Sequence, residues 1–198
     1  FHPYFALTDS VRHDWTLSAP LKKHWLLTDA KIPTGETEPA ENFFGGDTHA
    51  VPLSRFAEKP IDDVFSDIER DTRGRGTISF KGPDGQSISL TSGPNFKGFV
   101  LYSTVPVNPN ATANAGRDGG GRGAARPAPP PVSVGPEIPL SATDTGPAPW
   151  NRGFLAIEPY AGITDSMNLA QKGFYHDLQS IAPGGHWEES FWVTPSGY

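Results

Sequence analysis

Between Gly76 and Thr91 the chain reads Gly-Thr-Ile-Ser-Phe-Lys, then Pro83-Asp84-Gly85, then Gln-Ser-Ile-Ser-Leu-Thr. Apolar and polar residues alternate on both sides of an Asp-Gly turn, which is the pattern of a β-hairpin with one buried face. The same period of two recurs elsewhere. In Phe1–Leu7 it sets Phe1, Pro3, Phe5 and Leu7 on a core side and His2, Tyr4 and Ala6 on the other. Short extended pieces follow at 11–18 and 21–28, split by Ala19-Pro20, and Lys31–Glu36 reads as a loop punctuated by Pro33 and Gly35. Further strands are predicted over Phe96–Thr104, Gly153–Glu158 and His186–Thr194, with a short helical or irregular turn over Asp165–Gly173. Glycine (22) and proline (21) together exceed a fifth of the 198 residues, against about 12% in ordinary usage, so turns are plentiful. The pattern predicts an all-β fold, an antiparallel β-sandwich, and the length suits a single domain spanning 1–198.

Residues 106–150 differ from the rest. They hold ten of the 21 prolines, with Gly119-Gly120-Gly121 and Pro129-Pro130-Pro131 among them. Such a composition buries too little apolar surface to offset its ordering entropy, and the segment is expected to be a disordered loop insertion. The chain begins at Phe1 in a strand-like pattern without an initiator Met, so it is read as a fragment, with any targeting segment upstream.

Several function classes are disfavoured. The formal charge is −6 and Lys22-Lys23 is the longest basic run, so no phosphate-tracking surface, and no nucleic-acid partner, is expected. No apolar run approaches the length that crosses a bilayer, so no membrane partner is expected. Without cysteine there is no disulfide framework and no thiolate nucleophile. The compartment stays open, the cytoplasm favoured, and the oligomeric state is not readable. Neither a His-x-His nor a His-x-x-x-His spacing occurs, and Gly119–Gly123 lacks the flanking strand and helix of a phosphate loop, so metal and nucleotide sites are not predicted.

Glu158 carries the sharpest chemical signal. Alternation puts Leu155 and Ile157 on one face and Phe154, Ala156, Glu158 and Tyr160 on the other, so a carboxylate shares its face with two aromatic rings. An acid beside aromatic planes is what a sugar site uses; a solvated glutamate at a strand end is the other reading. His2 and Glu158 each precede a proline, which holds both backbones extended and aims both side chains. A histidine and a glutamate suit the acid and base halves of a proton exchange, while a histidine that merely satisfies neighbouring backbone is the alternative. In an extended 61–65, Asp63 points with Ile61 and Phe65, and Asp62 points the opposite way, free to meet a ligand; adjacent carboxylates diverge and make no catalytic dyad.

Taken in order, His2-x-Tyr4-Phe5-x-Leu7, Pro33-Thr34-Gly35-Glu36, Asp62-x-x-Phe65, Val100–Thr104, Ile157-Glu158-Pro159, Asp165-x-x-Asn168 and Pro183-Gly184 resemble the C-terminal part of the aldose 1-epimerase family, the galactose mutarotase-like proteins. The resemblance implies the supersandwich of that family, N-terminally incomplete here, and a monosaccharide substrate with no cofactor. By it, Glu158 is the general base that takes the anomeric proton and His2 the general acid that protonates the ring oxygen. Asp62, Tyr4 and Tyr160 are expected to bind the substrate. Phe1 stands where many members have Asn, and Gly185 where an acidic residue often follows Pro-Gly, so the common galactose preference does not carry over. Members also carry a long N-terminal segment that supplies an Arg and a second His, and its absence here implies a partial site. A non-catalytic carbohydrate-binding module and a mutarotase acting on a sugar phosphate are the alternatives.

Overall fold

A computed structural model describes residues 1–104 and 153–198; the Pro/Gly-rich insertion expected at 106–150 lies outside the described residues. Eleven strands are described: β1 (Tyr4–Phe5), β2 (Thr16–Ser18), β3 (Leu21–Leu27), β4 (Pro33–Pro39), β5 (Val51–Pro52), β6 (Ile61–Ile68), β7 (Gly76–Lys81), β8 (Ser87–Ser92), β9 (Gly98–Ser103), β10 (Leu155–Tyr160) and β11 (Phe191–Ser196). Two short α-helices, α1 (Ala40–Phe44) and α2 (Ser166–Gln171), and two 3-10 helices, at Arg12–Asp14 and Leu53–Phe56, accompany them. The strands form two sheets. Sheet A runs β1-β10-β9-β6-β3-β4 and sheet B runs β11-β8-β7-β2-β5. Every pairing described is antiparallel.

Alternation explains the layering. In β7 and β8, Ile78, Phe80, Ile88 and Leu90 are buried, while Thr77 and Lys81 face solvent. In sheet A, Ile61, Phe65, Phe99, Leu101, Leu155 and Ile157 are buried on the inner face, and with the sheet B residues they make one continuous core. Burying each such Leu, Ile or Phe contributes about 1.5–3 kcal/mol, which is what holds the two sheets together. The hairpin predicted at 76–91 forms in full register from Gly76↔Ser92 to Lys81↔Ser87.

A second, smaller cluster covers part of the outer face of sheet A. Trp25 and Val64 project there from β3 and β6 and are buried by Ile163, Leu169 and Tyr175, from the segment around α2. Two glycines permit this. A Cβ on Gly98 would stand 2.0 Å from the Gly162 carbonyl oxygen, so the segment leaving β10 passes over β9 backbone against backbone. Gly35 has φ +99°, and a Cβ there would lie 2.8 Å from the Phe174 ring.

Four expectations need correction. The extended piece expected at 11–18 opens as a 3-10 helix over Arg12–Asp14 and is strand only over Thr16–Ser18. The predicted loop at Lys31–Glu36 is strand β4 from Pro33 onward, paired with β3 from Leu27↔Pro33 to Lys23↔Pro39 across a register shift between Trp25 and Leu27. It is an edge strand, where prolines lose no ladder bond they need. The last strand begins at Phe191, not His186. Phe1 is 80% exposed, not in the core; its ring rests edge-on against Phe191 with centroids 5.1 Å apart.

Candidate functional site

The register of two strands brings a histidine to a carboxylate. β1 pairs with β10 as Tyr4↔Ala156 and Phe5↔Leu155. Continuing that antiparallel register outward sets His2 opposite Glu158, on the same face as Tyr4. β1 stops short of Pro159, whose missing N–H therefore breaks no ladder on that side. β10 also pairs with β9, placing Glu158 opposite Val100, and β9 pairs with β6, placing Tyr102 opposite Asp62. Side chains from four adjacent strands thus meet on the outer face of sheet A.

They line a cleft of about 350 Å³, whose walls include His2, Tyr4, Asp62, Tyr102, Glu158 and Tyr160, together with Lys31. All five residues singled out in the sequence stand in this cleft. The outward aim of Asp62 follows the alternation, since Ile61 and Phe65 are fully buried on the inner face.

Glu158 lies at the bottom, 1% exposed, which rules out a solvated strand-end carboxylate. The Tyr160 hydroxyl donates to its Oε2 at 2.9 Å. His2 Nε2 lies 3.0 Å from Oε1, yet outside hydrogen-bond geometry, so Oε1 is a buried acceptor without a donor among the described residues. Burial pushes the Glu158 carboxyl above its ordinary range; the Tyr160 hydrogen bond and the His2 charge pull it back in part, and Asp62 adds to the rise. The net result is a strengthened base with one oxygen free. Burial, and then the hydrogen bond and charge of Glu158, push the Tyr160 hydroxyl up to about 12, so it stays a donor at neutral pH.

The aromatic wall is built around His2. Its ring stacks on Tyr4 with centroids 4.7 Å apart and planes 9° apart. Tyr102 meets both edge-on, at 5.9 Å from His2 and 6.2 Å from Tyr4. Phe154, which alternation put on the Glu158 face, packs on Tyr4 at 4.9 Å and on Tyr102 at 5.6 Å. Offset and edge-on contacts of this kind fix ring orientation, so the imidazole is held although its side chain is half in solvent.

Tyr102 and Lys31, which also line the cleft, were not singled out as site residues by the sequence. Tyr102 was legible in principle, because alternation opposes it to buried Leu101. Lys31 carried no signal. It sits in the β3–β4 turn, yet its ammonium donates to the Asp62 main-chain oxygen at 3.0 Å and lies 3.8 Å from the Asp62 carboxylate.

On the opposite face of sheet A another histidine meets two carboxylates. His24 Nδ1 lies 2.8 Å from Glu38 Oε1, and Nε2 lies 3.1 Å from Asp63 Oδ1. With an acceptor at each nitrogen the ring carries both protons. Burial alone would lower its pKa; the hydrogen bonds and charges of Asp63 and Glu38 outweigh that and hold it above the ordinary value. Phe43 and Phe65 close the ring in, at 4.6 and 5.1 Å.

No family model matches this sequence, and no curated protein does. Among solved structures, a galactose mutarotase-like protein from Clostridium acetobutylicum superposes with a TM-score of 0.57 over 98% of this chain, at 14% identity. The chain spans less than half of that protein, 46% of its length. At that identity the likeness carries the architecture: two antiparallel sheets of the galactose mutarotase-like fold.

Proposed function

We propose that the cleft binds a free aldose and interconverts its α and β anomers by opening and reclosing the ring, the activity of an aldose 1-epimerase. One observation carries the reading: a buried carboxylate with a raised pKa presents an unfilled oxygen beside a histidine nitrogen, at the foot of an aromatic wall. Mutarotation exchanges protons at two oxygens borne by the same carbon. An acid and a base set side by side therefore reach both without the sugar moving.

In the forward direction Glu158 Oε1 takes the proton of the anomeric hydroxyl as the C1–O5 bond breaks, and protonated His2 delivers its proton from Nε2 to O5. The products are the open aldehyde, a neutral imidazole and a protonated Glu158. Rotation about C1–C2 presents the other carbonyl face. O5 then attacks C1, His2 recovers the O5 proton, and Glu158 returns its proton to O1. Both groups end as they began, and no cofactor enters the balance. Tyr160 holds the Glu158 carboxylate so that Oε1, not Oε2, faces the sugar. Tyr4 and Tyr102 offer ring surface to the C–H face of the pyranose, and Asp62 accepts from hydroxyls away from C1.

The test is NMR exchange between the anomers of freshly dissolved α-glucose and α-galactose. Acceleration over the spontaneous rate that disappears in Glu158→Gln supports the reading. Saturable sugar binding without acceleration replaces it with a carbohydrate-binding module, and acceleration only with a phosphorylated aldose moves the substrate class.

A further inference from the structure

The turn joining β3 to β4 places a lysine where backbone geometry favours glycine. Lys31 has φ +62°. Its N–H donates to the Thr28 carbonyl at 2.9 Å, while the Thr28 N–H donates to the Ile32 carbonyl at 2.9 Å. This is a short hairpin loop whose last residue is left-handed, a position glycine fills without the steric cost a Cβ brings. A lysine kept there carries strain in its backbone, and its side chain does not fold back on its own loop. It reaches across to β6, where Nζ donates to the Asp62 main-chain oxygen at 3.0 Å on the cleft wall.

An ammonium has three N–H groups, and this contact uses one. The Asp62 carboxylate, 3.8 Å away, is too far to take another. The cleft rim therefore presents a charged donor and a charged acceptor side by side, each with capacity left. That pairing complements two neighbouring hydroxyls, one accepting from Lys31 and the other donating to Asp62. It does not suit a phosphate: Asp62 offsets the Lys31 charge, and Glu158 adds a second carboxylate to the same cleft.

We infer that Lys31 and Asp62 together read a vicinal diol of a neutral sugar, on ring carbons away from the anomeric centre, and that Lys31 is the specificity-determining half of the pair. The inference rests on the sugar reading proposed above and names the part of the sugar that is recognised.

The experiment separates the two. The probes are 1,5-anhydroglucitol and its monodeoxy analogues, which lack the anomeric hydroxyl, so they bind without turnover; affinity is read by calorimetric titration. With the wild-type chain, one analogue lacking a hydroxyl of the diol binds about tenfold more weakly than the parent, the usual cost of one lost hydrogen bond to a charged group. Lys31→Gly and Lys31→Met weaken the parent by about the same factor and lose the discrimination against that analogue. Lys31→Gly keeps its melting temperature, because glycine relieves the turn. For anomer exchange, KM rises and kcat holds in both variants. Wild-type binding that Lys31→Gly and Lys31→Met leave unchanged overturns the inference and spares the sugar reading. A wild-type chain that binds none of the probes and exchanges no aldose overturns both.

Discussion

On the outer face of sheet A, His2 stands half in solvent beside a carboxylate whose facing oxygen has no hydrogen bond among the described residues. On the inner face, His24 is 6% exposed and finds a carboxylate oxygen at each ring nitrogen. The residue types are the same and the distances similar. What differs is completeness. The inner group has spent its hydrogen-bonding capacity, so its energy goes into holding β3, β4 and β6 together. The outer group keeps an unfilled acceptor on a desolvated base, which costs stability and leaves chemistry to be done.

The comparison breaks most visibly at Glu158. Glu158→Gln is expected to lower the rate of anomer exchange about 10³-fold, the scale of a lost general base, as read by NMR exchange spectroscopy. The same change leaves the melting temperature unchanged or higher. A carboxyl with a raised pKa stabilises the fold below its ordinary range and loses that contribution as pH rises through the folded value, so at neutral pH the charged Glu158 is a liability. A large drop in melting temperature would mean the outer pair is structural after all.

His24→Ala tests the other side. It leaves two carboxylates without their cation and is expected to cost about 3 kcal/mol in denaturant titrations, while the folded protein keeps its exchange rate. The sign with pH follows from the directions. His24, raised, contributes fully below about pH 6.5 and loses its contribution as pH rises through the folded value; Asp63 and Glu38, lowered, contribute above about pH 4 and lose theirs on acidification. Wild type should therefore outlast His24→Ala by most between those limits, and the gap should narrow in alkali.

Smaller effects sharpen the outer site. His2→Gln removes the acid but leaves solvent access, and a loss of about a hundredfold is expected. Tyr160→Phe is the mildest, below about tenfold at neutral pH. It removes a hydrogen bond that holds the Glu158 pKa down, so the acid limb of the rate profile should move to higher pH. An unmoved limb would separate Tyr160 from the base.

Period-two alternation made much of this legible. It set the 76–91 hairpin, the outward aim of Asp62 and the shared face of Phe154, Glu158 and Tyr160, because each depends only on which way successive Cβ atoms point. Pairing across the sheet was not legible. That His2 stands opposite Glu158 depends on the register between strands some 150 positions apart, and local sequence does not encode it. The His24 group was missed for the same reason: Glu38 follows the Lys31–Glu36 stretch that reads as loop by its Pro and Gly, and the whole becomes a strand only by pairing with β3. Lys31 was hidden further, since a left-handed lysine is indistinguishable from any other turn lysine until its φ is known.

The passage of Gly162 over Gly98 bears on how such a cleft can change through descent. On the α2 side of the cleft two stretches of main chain meet there, and side-chain packing of Ile163, Leu169 and Tyr175 on Trp25 and Val64 holds the same segment down. Tyr4, Lys31 and Tyr102 are no part of that contact, so exchanging them leaves it in place. Position 98 itself has no such latitude, because any larger residue there levers the covering segment away and resizes the cleft in one step.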